Sequence, residues 1–87
     1  MEAKTVAAAI QNFSFGPATI TVKKGDKVTF TNKDGVGHSA TADGGAFDTG
    51  IISSNQSATV DTSSLAPGSY PFHCTPHPNM KGTIVVQ

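Results

Sequence analysis

The chain is 87 residues long, with six Lys, no Arg, six Asp plus Glu, and a formal charge of zero. A chain this short buries only roughly 60% or a little more of its extended surface, which leaves material for one small domain and excludes large multidomain enzymes. With 14% charged residues there is no basic face to attract phosphates, so nucleic acid is not an expected partner.

Seven Val and five Ile stand against a single Leu, beside eleven Thr and eight Ser. Branching at Cβ fits a pleated, half-buried surface and crowds a helix, so strands are expected along most of the chain. From the N-terminus, period-two alternation picks out Val6, Ala8 and Ile10, then Ala18, Ile20 and Val22, then Val28 and Phe30. It resumes at Ala58 and Val60, at Tyr70, Phe72 and Cys74, and at Ile84 and Val86, each set facing inward. Turn signals at Gly16-Pro17, Lys24-Gly25-Asp26, Asp34-Gly35, Asp43-Gly44-Gly45 and Pro67-Gly68 separate these runs. Residues 43 to 55 lack alternation and read as a surface crossing between sheets. The sum is an all-β sandwich or barrel with little or no helix. The longest strictly apolar run, Val6 to Ile10, is far short of the ~20 residues of a spanning helix, so no membrane span is expected. Met1 to Thr5 show no secretion-signal pattern.

The chemistry gathers near the C-terminus. Cys74, His77 and Met80 follow one another at intervals of three, and His38 lies upstream with 35 residues between it and Cys74. A lone Cys forms no internal disulfide, and neither Cys-x-x-Cys nor Cys-x-x-Cys-His occurs, which disfavours zinc ribbons, thioredoxin chemistry and covalent haem. Thiolate, two imidazoles and a thioether are the trigonal set with a weak axial Met that suits copper; zinc and iron rarely use thioether. Cu(I) prefers soft sulfur and Cu(II) prefers nitrogen, so a stiff compromise site favours rapid electron exchange. Three donors on one short loop, with His38 arriving from a neighbouring strand, would supply that stiffness.

The constellation resembles that of the cupredoxins, the type 1 (blue) copper family, in its amicyanin and plastocyanin branches. The loop reads Cys-x2-His-x2-Met, the amicyanin length and shorter than the Cys-x2-His-x4-Met of plastocyanins, and Cys74-Thr75-Pro76-His77-Pro78 is amicyanin-like residue for residue. Asn79 departs, standing where that branch has an aromatic. Pro67-Gly68-Ser69-Tyr70 before Phe72 resembles the family's turn into its last-but-one strand, and Met80 to Val86 its closing strand, so most of residues 13 to 86 are covered. The resemblance implies a Greek-key two-sheet sandwich of about seven or eight short strands, with residues 1–87 as a single domain. It implies one copper ion held by His38, Cys74, His77 and Met80 in a soluble one-electron carrier that is not an enzyme. It also implies a periplasmic or otherwise extracytoplasmic location, a monomer, and redox partner proteins docking transiently near His77. Tyr70 takes a tyrosine-corner-like place, its ring buried and its hydroxyl tied to backbone. Ser39 stands where the family usually has the Asn that pins the copper loop; its backbone N–H is expected to donate to the Cys74 sulfur.

Each residue also has a plainer reading. Cys74 alone would be an inert buried thiol and Met80 core filler, but their joint spacing with His77 favours ligation. Pro76 and Pro78 restrict the backbone on both sides of His77 and so aim its ring. His38 is weak by itself and gains because His73, adjacent to Cys74 on a strand, projects to the opposite face. The five Phe read as core or as a rim around the site. Asn12-Phe13-Ser14 and Asn55-Gln56-Ser57 fit the glycosylation pattern by chance. A Cys74–His77 nucleophile lacks an orienting partner. A copper-binding carrier or chaperone is the alternative function; it would use the same donors in an open, labile site.

Overall fold

β-branched alternation becomes strand almost wherever it occurs in the computed structural model, which describes residues 4–87. Eight strands follow in order: β1 (Thr5–Gln11), β2 (Ser14–Gly16), β3 (Thr19–Val22), β4 (Lys27–Asn32), β5 (Thr41–Ala42), β6 (Ser57–Asp61), β7 (Gly68–His73) and β8 (Lys81–Val86). One sheet runs β2-β1-β4-β6 and the other β3-β8-β7-β5. β1 lies parallel to β4 and β3 parallel to β8, while the remaining neighbours are antiparallel. Among the described residues the helical element is the 3-10 turn Thr62–Ser64, capped by the Asp61 carboxylate on the Ser63 N–H. No helix among them is long and apolar enough to cross a membrane.

The alternating residues close the space between the sheets. Ile10, Val28, Phe30, Phe72 and Ile84 are fully buried. Ala18 is the exception: it is exposed, because it lies before β3 begins, just after the cis Gly16–Pro17 bond that carries the chain from one sheet to the other. Phe72 sits at the centre, its ring 4.7 Å from that of Phe15 and 5.5 Å from that of Phe30, both edge-on. Edge-to-face aromatics add about 0.5–1.5 kcal/mol per pair beyond their buried area, so this cluster is the anchor of the sandwich. Gly82 lets β8 pass over it; a Cβ there would stand 2.5 Å from the Phe72 ring and 2.8 Å from the Ala18 carbonyl. Tyr70 is half-buried rather than buried, and its hydroxyl donates to the Ala66 carbonyl as a corner tyrosine would.

The two ends of the sandwich differ. At one end, buried Asp26 accepts N–H bonds from Lys4 at 2.9 Å and Lys23 at 3.0 Å, tying β1 to the β3–β4 turn. Those backbone donors, Lys4 first, hold its carboxyl below the usual carboxylate value. At the other end, residues 33–40 and 43–56 both cross between the sheets, as expected for the second, and the β7–β8 connection meets them.

Candidate metal centre

The β7–β8 connection is a self-closing loop. The Cys74 N–H donates to the Met80 carbonyl at 3.0 Å, His77 N–H to the Cys74 carbonyl at 3.1 Å, and Met80 N–H to the His77 carbonyl at 2.9 Å. These three bonds repeat the three-residue spacing of the soft side chains. Pro76 and Pro78 have no N–H to satisfy and fix φ between the bonded positions. The loop thereby buries Cys74 and Met80 completely or nearly so, at 0% and 4% exposure, in one cluster with the core, and leaves His77 half-buried.

His38 reaches the same place from the 33–40 connection rather than from a strand proper. An isolated antiparallel bridge to Ile52 sets its backbone, with Ile52 N–H donating to the His38 carbonyl at 2.6 Å. Buried Asn32 organises the approach: its Nδ2 donates to the Val36 and Ile52 carbonyls, both at 2.8 Å, and its Oδ1 accepts the Asp34 N–H. Gly37 allows the close pass, since a Cβ there would lie 2.8 Å from Ile51 Cγ2.

One donor atom each from His38, Cys74 and His77 lies within 4.8 Å of the others. Cys74 Sγ is 3.5 Å from His38 Nδ1 and 3.7 Å from His77 Nδ1. The other His38 nitrogen, Nε2, meets Asp34 Oδ2 at 2.8 Å. A carboxylate there accepts, so Nε2 carries the proton and Nδ1 turns a free lone pair toward the sulfur, the tautomer a metal requires. Asp34 is held in turn by the Phe13 and Asn12 N–H groups at 2.9 and 2.7 Å, and these donors, Phe13 first, keep its carboxyl below the usual range. Both turn residues adopt left-handed φ, 55° for Asn12 and 57° for Phe13, uncommon for a bulky aromatic. The turn lays the Phe13 ring edge-on to His38 at 5.3 Å and to His77 at 5.1 Å.

Cys74 receives one backbone donor, the Ser39 N–H at 3.4 Å, as expected. The Ser39 side chain also pins the loop despite its length: its Oγ accepts the Thr75 N–H at 2.9 Å. His73 projects away, as its place before Cys74 predicted, and its Nδ1 meets Asp43 Oδ1 at 2.6 Å. Phe15, Phe30 and Phe72 are core, and Phe13 is rim.

The residues fit copper on the chemistry of their donors: a cysteine sulfur and two imidazole nitrogens also suit zinc, and the Met80 thioether closing the same loop is the donor that zinc and hard cations rarely use. Asn32 and Asp34 escaped the sequence reading as parts of the site, whereas Phe13 falls within its reading of the phenylalanines as core or rim. Asp34 stands four residues before His38 inside what reads as a turn signal, and that proximity was its only local trace.

Comparison with known proteins points the same way. The family model for the cupredoxin-like domain matches residues 1–86. A plastocyanin from Dryopteris crassirhizoma is 36% identical, across 94% of this chain and 96% of its own. Amicyanin-alpha from Methylorubrum extorquens is 34% identical, across 90% of this chain and 68% of its own. A solved reduced Cu(I) form of an amicyanin variant superposes with a TM-score of 0.85 at 27% identity, covering 95% of this chain and 82% of that one.

Proposed function

The chain belongs to the cupredoxin-like family, and from that premise we propose that His38, Cys74, His77 and Met80 hold the single type 1 copper of a one-electron carrier. Bound there, copper supplies exchange between Cu(I) and Cu(II); no substrate bond is made or broken, and the protein is an electron carrier, not an enzyme. Cys74 provides the thiolate, its negative charge eased by the Ser39 N–H. His38 is fixed in one tautomer by Asp34, and Met80 offers a thioether from the loop's last position. The observation that carries this reading is the convergence of Cys74, His38 and His77 donor atoms within 4.8 Å in a largely buried pocket.

His77 is the one member of the four that is not buried, so its edge is the route by which electrons leave. All three large apolar side chains that stand exposed among the described residues, Phe13, Val36 and Ile51, border this end. Phe13 touches both imidazoles, Val36 lies two residues before His38, and Ile51 packs beside Gly37. They form the apolar rim on which a redox partner protein docks weakly and transiently over the monomer. The carrier works outside the cytoplasm, and we assign the periplasm or an equivalent compartment. A copper chaperone would need a labile site, whereas three of the four donors here are buried.

The visible and electron paramagnetic spectra of the copper-loaded protein test the assignment. An intense visible band with a type 1 signal is expected, and both should vanish in Cys74→Ala. Copper bound without the band, or a band that survives Cys74→Ala, would refute the ligand set.

A further inference from the structure

Three hydroxyls meet where Ser39 faces Thr75, the residue after Cys74. Ser39 Oγ lies 2.7 Å from Thr75 Oγ1 and 3.1 Å from Thr41 Oγ1, and the two threonine oxygens are 3.1 Å apart. Thr41 also donates to Asp48 Oδ1 at 2.9 Å. Each hydroxyl has one proton, so once the carboxylate takes that of Thr41, two protons remain for three contacts. Thr41 therefore only accepts within the triangle, and at most two of the three contacts carry a hydrogen bond at once, with the protons of Ser39 and Thr75 as their only source. The carboxylate polarises the Thr41 oxygen and strengthens it as an acceptor.

Asp48 is placed for this task before any side chain bonds. The backbones of Thr41 and Asp48 form an antiparallel bridge, and Asp48 Oδ1 also accepts the Gly50 N–H at 2.8 Å. Next to it, Thr49 Oγ1 accepts the Ala40 N–H at 2.9 Å. The 43–56 crossing is thus stapled to the segment bearing His38 and Ser39. The triangle extends that staple to Thr75, the residue after Cys74, and Ser39 closes the circuit through its N–H on Cys74 Sγ and its Oγ on the Thr75 N–H.

We propose that Thr41 and Asp48 are positioning residues for Cys74: through the Ser39–Thr41–Thr75 hydroxyl triangle they hold the first turn of the metal loop and the sulfur's backbone donor in one fixed relation. Neither residue touches the metal donors, and the role rests on the copper reading above. Ser39 Oγ reaches Thr75 directly, and Thr41, with Asp48 beyond it, fixes the orientation of that short hydroxyl where a longer amide would be fixed by its own second polar atom.

Thr41→Val removes the hydroxyl and keeps the shape, Thr41→Ser restores it, and Asp48→Ala cuts the same link from the crossing. In the metal-free protein, Thr41→Val and Asp48→Ala should each speed exchange of the Thr75 amide up to about fivefold, the factor one ordinary net hydrogen bond gives, with the Ile84 amide unchanged. Thr41→Ser should restore the wild-type rate. In the copper-loaded protein the same two variants should shift the visible band and the reduction potential, and Thr41→Ser should reverse the shift. Unchanged Thr75 exchange and an unchanged potential in Thr41→Val, or in Asp48→Ala if Thr41→Val does not fold, would overturn the proposal. So would failure of Thr41→Ser to rescue. A wild-type protein without the visible band overturns the copper reading itself, while the metal-free exchange still decides whether the triangle holds the loop.

Discussion

The two arms of the metal centre are held by opposite means. His38 is buried and gripped by Asp34 on Nε2, which the distant Asn12–Phe13 turn holds in place, by Asn32 under its loop and by Ile52 across a bridge. His77 is half-buried and positioned from within its own loop, by a prolyl ring on each side and by bonds between Cys74, His77 and Met80. The first arm is rigid because distant polar groups converge on it; the second is rigid because a short chain closes on itself. Electron exchange with a partner needs one ligand near the surface, and only the self-closed arm reaches the surface without leaving buried polar groups unpaired.

The contrast is broken most sharply by Asp34→Ala. Losing the carboxylate behind a metal-binding imidazole typically lowers metal affinity by about tenfold to a hundredfold, and here it also frees the Asn12–Phe13 turn. Competition with a chelator should show a loss of about that size, whereas Pro78→Ala on the other arm should lose less. Equal losses would mean that both arms are held alike.

Pro76→Ala sharpens the second arm. Pro76 has no N–H to offer the Cys74 sulfur, and an added donor there stabilises negative sulfur and favours Cu(I). A net hydrogen bond of about 1 kcal/mol corresponds to a rise on the order of 40 mV for a one-electron couple. Voltammetry on a variant with unchanged fold should find that rise; a potential that stays put would remove the donor argument.

The smallest effect separates both arms from the scaffold. The Asp26 carboxyl, far along the chain from the metal loop, is held below its ordinary value by the Lys4 and Lys23 N–H groups. A depressed folded value means its stabilisation is complete above the ordinary carboxylate value and fades as pH falls through the depressed one. Denaturant midpoints followed from neutral into acid should therefore decline less steeply in Asp26→Asn, with the visible band at neutral pH unaltered. An unchanged acid slope would show that this end does not contribute to acid sensitivity.

The strands and the metal loop were readable in advance for a common reason. Alternation of Val28 with Phe30 or of Phe72 with Cys74 is a local periodicity, and it set both the buried face and the side on which His73 could not join the site. Ala18 misled because alternation does not mark where a strand begins. His38 was expected on a strand and stands on a crossing, since a single bridge to Ile52 suffices to place it. Ser39 reads in the sequence as the replacement of a pinning Asn, and its hold on the loop is a direct contact with Thr75, 36 positions away, which only folding brings near.

By itself, then, the sequence determined the all-β class, the soft donor set and the loop that carries three of its members, because these are written in spacings of two and three residues. Tertiary structure alone decided what holds His38 and what ties down the first turn of the loop. Asp34 meets Phe13 across 21 positions and Ser39 meets Thr75 across 36, and a hydrogen bond between residues so far apart leaves no periodic mark on the chain. Its partners are ordinary turn and surface residue types until the two sheets close and bring them within bonding distance.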